Sequence, residues 1–105
     1  GAFPTWLSPV QVRVLPVAEA HLEHAVGVAA RLREQGARVD VVDAADSLGN
    51  RIRKAKGEKL PYVLVVGDDD VASDTVGVNA RGNEVERDVP FVQFAERLAS
   101  DVAGR

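Results

Sequence analysis

The sequence predicts an α/β domain, a three-layer α/β/α sandwich on a five-stranded mixed sheet, and three observations lead there. Alternating or unbroken apolar runs are interleaved with segments whose apolar residues recur every three or four positions, the pattern of strand–helix–strand units. The apolar content is 46% of 105 residues and mostly Val, Ala and Leu, with only 5% aromatics, which suits a parallel-leaning sheet under helices. Gly36, Gly57 and Pro61 stand at the boundaries between segments, where chain-breaking residues belong.

Residues 1–9 hold Pro4 and Pro9 around Trp6 and Leu7, and read as an extended lead-in whose apolar side chains dock on a domain spanning 10–105. Val10, Val12 and Val14 alternate with Gln11 and Arg13, giving a strand that ends at Pro16. From Glu19 the period changes: Leu22, Ala25, Val26, Ala29 and Leu32 share one face of a helix that Gly36 stops, with Gly27 weakening its middle. Arg38 to Val42 forms the second strand. Asp43 to Ser47 forms a polar turn in which Asp46 or Ser47 caps the next helix. That helix carries Leu48, Ile52 and Ala55 on its apolar stripe, puts its basic residues on the flanks and back, and ends at Gly57. Tyr62 to Val66 is a central strand, nearly all apolar and buried on both faces. Thr75 to Ala80 and Asn83 to Arg87 make a hairpin around Gly82. Asp88 and Pro90 then offer a cap and a first-turn proline to a last helix faced by Phe91, Phe94, Ala95, Leu98 and Val102. Three helix-linked strands are expected to be parallel, with the hairpin extending the sheet.

Composition removes several classes of function. With no cysteine there are no disulfides, thiol nucleophiles or thiolate metal sites. No apolar run is long enough to cross a bilayer and no leader pattern opens the chain, so a cytoplasmic protein without a membrane partner is expected. The absence of methionine is expected if the domain was excised from a longer protein. A net charge of -3 argues against non-specific nucleic-acid binding, and no DNA partner is expected. The charge is uneven, however: five basic residues, Arg51, Arg53, Lys54, Lys56 and Lys59, face only Glu58 within 51–59. Such an island is either a local RNA contact or an ordinary solvated helix face.

Enzyme signatures are missing. No glycine-rich phosphate loop opens a helix, and no serine sits in a nucleophile elbow. His21 and His24 lie three apart off the apolar stripe without a third ligand, so both are expected at the surface. Asp68, Asp69 and Asp70 could hold Mg²⁺ at the end of the central strand, but successive residues rarely point at one ion. A hydrated turn capping a short helical segment is the favoured reading.

The stretch Gly1-Ala2-Phe3-Pro4-Thr5-Trp6-Leu7-Ser8-Pro9-Val10-Gln11-Val12 closely resembles the point in threonyl-tRNA synthetases where the class II catalytic domain passes to the C-terminal domain. Gly49 with Arg51-Ile52-Arg53, and Lys59-Leu60-Pro61-Tyr62 leading into Val63-Leu64-Val65-Val66-Gly67-Asp68, follow in the same order and spacing. The resemblance covers essentially the whole chain and implies an anticodon-binding domain whose partner is the tRNA anticodon loop. It further implies that ATP, Mg and Zn belong to a separate catalytic domain, so no cofactor and no catalytic residue are expected here. The parents in that family are typically homodimers through the catalytic domain.

Carried over residue by residue, the resemblance assigns anticodon binding to Asp43, Asp46, Arg51, Arg53, Asp70, Asn79 and Arg81. Unstacked bases are read by forked or two-faced side chains, and a nearby basic helix fixes register on phosphates. The departures fall at the reading site. Ala44-Ala45 stands where the family usually has Arg-Asn, Asn79-Ala80-Arg81 where it has Arg-x-Arg, and Asp70 where it has the longer glutamate. Weak or altered reading of a threonine anticodon is therefore expected, as in a specialised copy or a diverged bacterial branch. The alternative is a diverged module that binds a protein partner or a small ligand; a self-contained enzyme rests on the aspartate cluster alone.

Overall fold

Parallel strands β1 (Val12–Pro16), β2 (Val39–Val41) and β3 (Tyr62–Val66) are extended by antiparallel β4 (Thr75–Ala80) and β5 (Glu84–Pro90). The order across the five-stranded mixed sheet is β2-β1-β3-β4-β5. The computed structural model describes residues 5–80 and 84–103. Arg81, the Gly82 turn of the expected hairpin and the strand start at Asn83 lie outside the described residues.

Strand alternation assigns the two faces. Val12, Val14, Tyr62, Leu64, Val66, Val76 and Val78 point to one side, where helices α1 (Leu22–Glu34) and α4 (Phe91–Ala103) close the larger core with Ala25, Val28, Leu32, Phe91, Phe94 and Leu98. Phe94 is fully buried and meets Tyr62 edge-on, with ring centroids 5.3 Å apart at 82°. Leu15 and Val63 point to the other side, under helix α2 (Leu48–Gly57), which contributes Ala55, Leu48 and Ile52. α2 covers the β1–β3 half of that face. Among the described residues, none of β4 or β5 joins that cluster, so over them the same face is left open.

Several expectations are corrected. The lead-in is not simply extended: among the described residues Thr5–Leu7 forms a 3-10 turn, with Trp6 half-buried beside Leu98 and Val102 and polar contacts added. Thr5 Oγ1 donates to Asp101 at 2.7 Å, and the Arg38 guanidinium reaches the Ser8 and Trp6 carbonyls at 2.8 Å each, while Leu7 is half exposed. On α1, Val28 rather than Val26 completes the buried stripe. Asp88 and Pro90 do not begin α4, because β5 continues through both. Two steps on β4, Val76 to Val78, oppose three on β5, Val89 to Glu86, and Asp88 absorbs the extra residue at φ 54, a left-handed conformation that Asp tolerates. Pro90 ends an edge strand, where its missing N–H costs no ladder bond.

Gly36 ends α1 as expected, at φ 89. Ser47 caps α2, its Oγ accepting from Asn50 N–H at 3.2 Å. The three aspartates open a short helix, α3 (Asp68–Ser73), in agreement with the capping reading.

Candidate nucleic-acid interface

A groove of about 600 Å³ lies between α2, the uncovered half of the sheet and the start of α3. It sits beyond the carboxyl ends of β1 and β3, where open α/β sheets offer their crevices. Val65, Gly77, Asn79 and Val85 form its floor, Leu48 and Ile52 one wall, and Val17 the near edge. Gly67, at the turn out of β3, stands close to Val17: a Cβ there would lie 3.3 Å from Val17 Cγ2.

The mouth is acidic. Asp68, Asp69, Asp70, Glu86 and Asp88 line it with Arg87 among the described residues. Two of these aspartates are committed. Asp70 accepts from Gly67 N–H at 2.9 Å and from Thr75 Oγ1 at 2.7 Å, so it braces α3 against β4. Asp68 Oδ1 lies 2.7 Å from His21 Nε2. Ala18 N–H donates to His21 Nδ1 at 3.1 Å, so the ring proton sits on Nε2 and is given to Asp68. His21 is thereby buried, contrary to the surface position expected for it, and His24 is half-buried. Among the described residues no group of three or more His, Asp or Glu side chains is arranged to hold a metal ion.

Of the assigned residues, only Asp70 and Asn79 line this groove among the described residues. Asn79 stands on the floor, half-buried, with no side-chain hydrogen bond among the described residues. Asp43 and Asp46 are placed in the loop before α2 and do not line the groove. Asp43 Oδ1 accepts from Ala45 N–H at 3.1 Å, an Asx turn. The Asn50 amide and the Ser47 N–H hold the Asp46 carboxyl below its usual value. Arg53, Lys54 and Lys56 remain on the exposed side of α2.

Arg51 departs most from expectation. It is not on the solvated flank of the helix but 3% exposed. Its guanidinium donates to Pro16 O at 2.7 Å, to Asp46 O at 3.0 Å and to Val17 O at 3.5 Å. The structure thus brings Asp70 and Asn79 into one groove, while Asp43, Asp46 and Arg53 are exposed and do not line it. Val17, Leu48, Val85 and Arg87 were missed as lining residues, although the alternation of Val85 and Arg87 in β5 is a signal that both share a face with Asn79.

The sequence model of the family described as "Anticodon binding domain" matches residues 11–101, and the chain belongs to that family. Within it, the similarity is to part of the length of threonine--tRNA ligases. The chain is 47% identical over 103 residues to a threonine--tRNA ligase of Geobacillus kaustophilus and 43% identical over 103 residues to one of Clostridium botulinum. These alignments take in 97% and 98% of the chain but 16% of each ligase. The solved RNA-binding domain of threonyl-tRNA synthetase from Cryptosporidium parvum superposes with a TM-score of 0.86 at 27% identity, covering 95% of this chain and 25% of that one.

Proposed function

We propose that the chain is the anticodon-reading domain of a threonine--tRNA ligase or threonyl-tRNA synthetase-like protein, and that the groove between α2 and the open sheet receives the unstacked bases of the anticodon loop. The observation that carries this reading is the groove itself. Its apolar floor holds the Asn79 amide, unpaired among the described residues, beside a helix whose exposed side keeps Arg53, Lys54 and Lys56. Bases have π faces and hydrogen-bonding edges that fit the floor. Phosphates are repelled by the aspartates at the mouth and attracted to α2, which fixes the direction in which a loop enters. Asp43 and Asp46 supply acceptors on that approach. Aminoacylation belongs to a catalytic domain elsewhere in such a protein, and the work of this part is to place the tRNA.

Fluorescence anisotropy of a threonine anticodon stem-loop, measured beside a loop with permuted anticodon across a salt series, tests the reading. Affinity should fall with salt, and Arg53→Glu with Lys54→Glu should make log affinity against log salt shallower by about one unit for each phosphate no longer neutralised. If both loops bind equally and the paired variant changes nothing, the basic helix is not the contact. The four aspartates at the mouth favour a second reading, a diverged module taking an amine-bearing ligand or protein. Absence of binding to any tRNA, with saturable binding of such a ligand, would establish that reading instead.

A further inference from the structure

We infer that Arg51 is a positioning residue: its buried guanidinium clasps the end of β1 to the loop before α2 and so sets the opening of the groove. The inference rests on the groove being the RNA site and adds how that site is held in shape. Arg51 is 3% exposed, and its three hydrogen bonds go to main-chain carbonyls rather than to a carboxylate or to solvent. Pro16 O and Val17 O come from the end of β1, while Asp46 O comes from a turn about thirty residues later. Both segments then build the groove. Val17 is itself its near edge, and Leu48, two residues past Asp46, is part of its wall.

A guanidinium suits this task because its N–H groups diverge in a rigid planar fork and can satisfy carbonyls that approach from different directions. A lysine ammonium at the same place reaches one segment at a time. The loop it secures is otherwise tied locally: Asp43 bonds to Ala45, and Asp46 to Ser47 and Asn50, all within a few residues. Since a guanidinium committed to carbonyls inside the fold is not presented to phosphate, Arg51 serves RNA binding without touching RNA.

The test compares Arg51→Met and Arg51→Lys with the parent by three readouts: stem-loop affinity, its salt slope, and amide hydrogen exchange at residues 43–48 in the free protein. Arg51→Met should weaken binding about tenfold, equivalent to re-ordering roughly one residue of backbone on binding, while leaving the salt slope unchanged. Exchange at 43–48 should quicken while the β3 amides keep their protection. Arg51→Lys should fall between the two, and it carries the same readouts if Arg51→Met fails to fold. A slope shallower by about 0.7–0.9 would show a phosphate contact and overturn the inference. So would unchanged exchange in the loop. The exchange arm needs no RNA, so a parent protein that fails to bind the stem-loop refutes the functional reading while the clasp is still decided.

Discussion

Replacing Asn79 with arginine is the most informative single perturbation of the groove. Asn79 lies on the floor between Val63 and Val85, and its same-face neighbour two residues back is Gly77, which leaves room for a longer side chain. A well-placed bidentate arginine contact to a base edge is worth about 1–3 kcal/mol. Immobilising the side chain costs about 0.5–1.5 kcal/mol, so a net gain of about 1 kcal/mol remains, close to fivefold in affinity. Anisotropy with the threonine stem-loop should therefore show about fivefold tighter binding for Asn79→Arg, smaller or absent for the permuted loop. An equal gain on both loops would mean that charge alone was added. Unchanged or weaker binding of the threonine loop, with the thermal midpoint intact, would refute the placement of a base over β4.

Other outcomes follow from the packing. Phe94→Ala empties the centre of the larger core and should cost about 3–5 kcal/mol, which in a domain of this size lowers the thermal midpoint by about 14–23 °C; a loss of only a few degrees would contradict the packing described. Asp70→Ala frees the Gly67 N–H and the Thr75 hydroxyl and should cost about 0.5–2 kcal/mol, with exchange quickening first in α3. The Arg13 hydrogen bond lowers the Glu58 carboxyl below its ordinary value of 4.5, and the Arg31 hydrogen bond lowers Asp74 below 3.8. A carboxyl lowered in the folded state contributes stability above its unfolded value and loses that contribution as pH falls through the folded one. Denaturant midpoints should therefore drop on acidification below about pH 4.5, and Glu58→Gln with Asp74→Asn should flatten that limb. An identical acid limb in the paired variant would remove these two ion pairs from the explanation.

What was legible in the sequence was whatever one segment decides for itself. The alternation of Val12 and Val14, the apolar run of Tyr62 to Val66 and the capping chemistry of Ser47 each state their structure locally. Misreadings came where a distant segment decides. Arg51 reads as one more cation on a basic helix because the carbonyl that buries it, Pro16 O, belongs to a strand thirty-five residues earlier. His21 reads as a surface residue because Asp68, forty-seven positions on, is invisible to helical periodicity. In β5, Asp88 and Pro90 carry the chemistry of a helix start, but pairing with β4 outweighs it and a bulge takes up the mismatch. At the candidate site, Asn79 and Asp70 were found through resemblance, whereas Val17, Leu48 and Val85 line the groove simply because α2 stops short of β4.

Backbone amide chemical shifts, followed while an anticodon stem-loop of the threonine type is titrated in, test most directly whether RNA enters the groove between α2 and β4. The largest changes should fall at Val17, Leu48, Ile52, Asn79 and Val85, with Trp6, Leu98 and Val102 on the opposite side of the sheet unmoved. Changes concentrated around Trp6 and Leu98, or spread evenly over the surface, would contradict a base-reading groove at this place.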